Sequence, residues 1–165
     1  MQQDIQKEDI LQKIFDFITA LQIPIRFSEI TTETFLPGIK IEKGTLLIDL
    51  EKLLHPGDIL HEAGHIAVSL PEERIHLNNN VIENNESKSG EELAVMLWSY
   101  AAIMDIGLAP EVVFHSDGYK EESDWILKNY SNQNFIGLPL LQWMGLTYTD
   151  TEKLCFPKMK KWLRD

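Results

Sequence analysis

A chain of 165 residues, 44% hydrophobic and 25% charged, has the size and make-up of a single globular domain (1–165) with a core of its own. Its formal net charge of −11 leaves no basic surplus to neutralise phosphates, which argues against nucleic acid as a partner. No apolar run approaches the roughly 20 residues of a membrane span and no signal-like segment follows Met1, so a cytoplasmic protein without a membrane partner is expected.

From Gln6 to Leu21, residues Ile10, Leu11, Ile14, Phe15, Ile18 and Leu21 recur at helical spacing and end before Pro24. The period then changes. Ile39 to Glu42 alternates, Lys43-Gly44 signals a turn, and Thr45 to Leu50 is rich in strand formers, which predicts a hairpin over 37–42 and 45–50. Pro56-Gly57-Asp58 carries the signals of a helix start, and Pro71 bounds that helix on the far side.

The polar stretch from Asn78 to Ser89 reads as a loop. Ser89 and Glu92 stand at capping-box spacing, opening a largely apolar helix to about Asp105 that ends ahead of Gly107 and Pro110. Short helices are expected near 110–115, 119–130 and 138–144, and a terminal helix after Pro157 with Met159, Trp162 and Leu163 on its face. Trp98, Trp125, Trp143 and Trp162 fall at apolar helical positions and read as packing residues. Cys155, the single cysteine, excludes an intrachain disulfide and reads as a buried or half-buried thiol, in keeping with a reducing compartment.

The chemistry concentrates in His61-Glu62-Ala63-Gly64-His65, an H-E-x-x-H sequence in the middle of the second helix. Residues four apart share a helix face, so His61 and His65 can reach one ion, with Glu62 beside them to take a proton from a water held there. A catalytic zinc site needs a third protein ligand. Glu91, with the small Ala94 one turn on, is favoured for that place; Glu92 is the alternative ligand, with the competing task of the capping box. For the developing oxyanion, His115, Tyr100, Tyr119, His76 and Tyr148 are candidate donors, and His115 is retained as the one to test. A lone histidine in that position is more often a helix cap or a surface residue, and His55 reads as lying before its helix.

His61-Glu62-Ala63-Gly64-His65 followed by a helix with Glu91-x-x-Ala94 resembles the gluzincin group of zinc metallopeptidases, nearest to its compact ImmA/IrrE-like members, over roughly residues 45–105. The resemblance implies an α+β, mainly helical zincin-like domain with a small β-hairpin or sheet packed on the metal-site helices. It implies Zn2+ on His61, His65 and Glu91, with Glu62 as the general base that later returns its proton to the leaving amine. The substrate would be a peptide or protein, and Thr45 to Leu50 is either the edge strand that aligns it or a plain core strand. Similar families often carry Asp or Asn directly after the alanine, to orient a zinc-bound histidine; Val95 stands there, so an orienting carboxylate comes from elsewhere, with Asp58 and Asp105 as candidates that read more plainly as helix-end residues. The alternative is a module that keeps the scaffold and binds metal or a partner without turnover.

Overall fold

The computed structural model describes residues 2–78, 88–119 and 121–165. Helix α1 (Gln2–Ala20) buries Ile14 and Ile18 and leaves Glu8, Asp9, Lys13 and Asp16 exposed, as the helical spacing requires. Strands β1 (Ile25–Phe27), β2 (Ile39–Glu42) and β3 (Thr45–Ile48) form a sheet in the order β1-β3-β2. β2 and β3 are the expected hairpin, in register Ile39↔Ile48 to Glu42↔Thr45, joined by Lys43 and Gly44, both at positive φ. β1 pairs in parallel with β3, Ile25↔Leu46 to Phe27↔Ile48. β3 is therefore the central strand, which decides between the two readings of 45–50 in favour of a core strand: its backbone groups are taken up on both sides, and an extended peptide cannot add to it.

Helix α2 (Asp58–Val68) lies against β2 and β3, and α1 and α4 (Lys88–Asp105) pack on it in turn. Of the 11 residues of α2 only His61 and His65 escape burial, so the helix is enclosed except along the strip that carries its imidazoles. α4 starts at Lys88, which puts Ser89 inside the helix instead of at its cap and frees Glu92 from the expected capping box. The polar stretch read as a loop lies, from 79 to 87, outside the described residues.

The rest of the chain wraps the two central helices. A short helix α3 (Pro71–Arg74) and a 3-10 turn (Pro110–Val112) precede α5 (Ser116–Tyr119), α6 (Glu122–Ser131) and α7 (Leu138–Trp143). The expected terminal helix is absent. The peptide groups it would use are spent elsewhere: Lys160 N–H donates to Leu146 O and Arg164 N–H to Ala67 O, closing the end of α2. Trp162 inserts edge-on against Phe17 and Trp98, and its carbonyl takes the Trp98 indole N–H at 2.8 Å. Trp98 and Trp162 thus pack as expected, whereas Trp125 and Trp143 are 57% and 73% exposed, and Cys155 is exposed rather than buried. The molecule is an α+β single domain, and among the described residues no helix is long and apolar enough to cross a membrane.

Candidate metal centre

Two glycines set the distances on which the site depends. At Gly64 an added Cβ would lie 3.0 Å from Val95 Cγ1 and 3.3 Å from the Trp98 ring, so α2 and α4 cross there in close contact. The small residue that permits the approach is on α2, and it faces Val95 instead of the expected Ala94. That rotation brings residues 92, 95 and 99 of α4 toward α2, where Ser99 Oγ reaches Leu60 O at 3.4 Å. At Gly57 a Cβ would fall 1.9 Å from Val112 O, so glycine there lets the 3-10 turn seat against the start of α2 and delivers His115 and Tyr119 to its side.

Glu92, not Glu91, consequently spans both histidines. Its Oε1 is 3.2 Å from His61 Nε2 and its Oε2 is 3.4 Å from His65 Nε2. Ligand atoms held about 2.0–2.2 Å from a tetrahedral zinc are separated by about 3.3–3.6 Å, and each imidazole stands near that separation from one of the two Glu92 oxygens. One ligand atom from each of His61, His65 and Glu92 lies within 4.8 Å of the others, and the three residues are partly open to solvent. Glu91, favoured from sequence, reaches only the other nitrogen of His65, Nδ1, at 3.6 Å. The helical period explains the exchange: neighbouring residues point about 100° apart on a helix, and the Gly64 crossing selects the 92 face.

The electrostatics follow from this arrangement. Burial alone would depress His65, but Glu91 and Glu92 at its two nitrogens, with the charges of Glu62 and Glu92, push it up to about 10. Burial opposes ionisation of Glu92 as well, yet the two imidazoles hold its carboxyl well below the usual carboxylate range. Glu62 is buried, on the same helix one residue from His61, and its charge is felt by both His65 and Tyr119.

Tyr119 completes the far side of His61, with its hydroxyl 3.1 Å from Nδ1. Burial first, then the charges of Glu92, Tyr130, Asp58 and Glu62, raise its phenol far above the ordinary value, so it keeps its proton. His115, expected as an oxyanion donor, is engaged at both nitrogens. Gly118 N–H donates to its Nδ1 at 3.0 Å, which leaves the proton on Nε2, and Nε2 lies 2.8 Å from Asp58 Oδ1. The His55 ring stacks on it at 3.7 Å, from a position ahead of α2 as expected, and pairs with Asp117 at 2.9 Å.

The remaining candidate donors are remote from this cluster in their contacts. Tyr100 packs among Phe114, Tyr130, Phe135 and Phe156, Tyr148 lies under Lys160, and His76 is exposed in the turn after α3. From sequence, Asp58, like Asp105, is a candidate for the orienting carboxylate missing at Val95, with the plainer reading of a helix-end residue favoured. Its position on the face of His61, Glu62 and His65, at spacings of three, four and seven, is the signal that could have marked it. Compared with known proteins, the chain matches no family model, no curated protein and no solved structure.

Proposed function

We propose that the protein is a zinc-dependent hydrolase of peptide bonds, centred on His61, His65 and Glu92. The observation that carries the reading is the convergence within 4.8 Å of one nitrogen from each of His61 and His65, on the unburied strip of the otherwise enclosed α2, and one carboxylate oxygen of Glu92. Zinc held there supplies Lewis acidity toward a carbonyl and an acidified water. Glu62 takes the proton of the attacking water and returns it to the departing amine, which makes it the general base and then the general acid. Glu91, at the outer nitrogen of His65, orients that ring instead of ligating.

The test is a peptide-library digestion by the zinc-loaded protein, with and without chelator, beside Glu62→Gln. The expected outcome is chelator-sensitive cleavage that is lost in Glu62→Gln while zinc stays bound. Full cleavage by Glu62→Gln would remove Glu62 from the mechanism.

A second reading, a scaffold that binds metal or a partner without turnover, is favoured by one observation. His115, the donor expected to stabilise an oxyanion, has both ring nitrogens occupied. Bound zinc with no cleavage of any library peptide would select it.

A further inference from the structure

Two cross-links join α2 to the segment ending in α5, and they sit one turn apart on each partner. Asp58 meets His115 at 2.8 Å, and His61 meets Tyr119 at 3.1 Å. The first rung is complete at one oxygen only: Asp58 is 4% exposed, and its Oδ2 has no hydrogen-bond partner among the described residues. A buried carboxylate oxygen left without a donor is costly, so it marks a place where a donor is expected in another state of the site.

The second rung carries a hydroxyl of the kind required. Tyr119 is at Nδ1 of His61, on the side of the ring away from Nε2 and Glu92. A cation bound at Nε2 obliges the ring proton to sit on Nδ1, from which it is donated to the Tyr119 oxygen. The phenol then has its own O–H to place. Asp58, whose charge already acts on Tyr119, offers the unpartnered Oδ2 one helical turn from His61. We propose that Tyr119 and Asp58 form a positioning relay, His61 Nδ1–H to Tyr119 O–H to Asp58 Oδ2, that fixes the metal-binding tautomer of His61. The relay fills the role left open by Val95, from a different helix. It places Tyr119 behind the ligand, out of reach of a substrate oxyanion.

The inference rests on the zinc reading of His61, His65 and Glu92, and the test separates the two. Zinc affinity of the full chain is measured by competition with a chromophoric chelator for wild type, His61→Ala, Tyr119→Phe, Asp58→Asn and the double variant Tyr119→Phe/Asp58→Asn. Tyr119→Phe removes one oxygen and keeps the ring packed on Phe114 and His61. It is expected to bind zinc roughly 10–100-fold more weakly, the usual effect of losing a group that orients a ligand, with the melting temperature of the zinc-free protein little changed. Asp58→Asn keeps the oxygen that faces His115 and replaces the free acceptor by a donor, so it weakens zinc in the same direction. The double variant is expected to be no weaker than Tyr119→Phe, because Asp58 acts through Tyr119. Wild-type affinity in Tyr119→Phe, or additive losses in the double variant, would overturn the relay alone. Failure of the wild type to bind zinc any better than His61→Ala would overturn the metal site and the relay with it.

Discussion

At the scale of single residues, the proposed site would set a proton and a cation in competition for the same nitrogens. Glu92 bridges both imidazoles while Glu91 touches one, so the two adjacent glutamates should behave differently when neutralised. Glu92→Gln is expected to lower zinc affinity by at least 100-fold, and Glu91→Gln by roughly tenfold, the smaller effect of a group outside the ligand set; equilibrium dialysis distinguishes them. The raised pKa of His65 adds a pH dependence. If His65 ligates zinc as proposed, the ion has to displace its proton, so affinity should climb about tenfold per pH unit from neutrality until about pH 10, where the imidazole is already free. The stability of the zinc-free protein runs the other way. His65 binds its proton more tightly folded than unfolded, so its contribution is complete below about pH 6.5 and is lost as the pH rises toward 10. Urea titrations across that interval should show a midpoint that falls with pH, and His65→Gln should flatten the fall.

At the scale of elements, the helix crossing decides which residues meet. H-E-x-x-H was legible because it depends only on the internal period of one helix. The choice between Glu91 and Glu92 was not, because it depends on the rotation of α4 about its axis, set at Gly64 by Val95 and Trp98. The signal of a small residue was read on α4, at Ala94, when the residue that admits the crossing is on α2. A larger side chain at 64 tests this. Gly64→Ala gains about 1 kcal/mol of helix propensity and loses a similar amount by forcing Val95 aside, so it should change stability little. Gly64→Val has no such compensation and should cost about 2–3 kcal/mol, partly restored by Val95→Ala, as read in thermal unfolding. The same distinction explains the strand order. The hairpin of β2 and β3 is local and was read from its turn, whereas the parallel pairing of β1 places β3 at the centre through contacts 21 residues apart in sequence.

At the scale of the whole molecule, the C-terminal strap holds the end of α2 in place. The sequence spacing of Met159, Trp162 and Leu163 favours a helix, and tertiary bonds to Leu146 and Ala67 override it, which no local pattern reveals. The exposed Trp125 and Trp143 show the same limit, since an apolar residue at helical spacing names a face without saying that anything covers it. Trp162 ties the strap to α1 and α4. Trp162→Ala should therefore destabilise the protein by about 2–4 kcal/mol, a fall in melting temperature of about 5–12 °C for a chain of this length. Zinc added in excess should recover part of that loss by binding the folded state alone.

The most direct measurement is an anomalous difference map from crystals of the zinc-loaded protein. One ion is expected within about 2.0–2.2 Å of His61 Nε2, His65 Nε2 and a Glu92 carboxylate oxygen. An ion ligated by Glu91 in place of Glu92, or no ion between the two histidines at saturating zinc, would contradict the account.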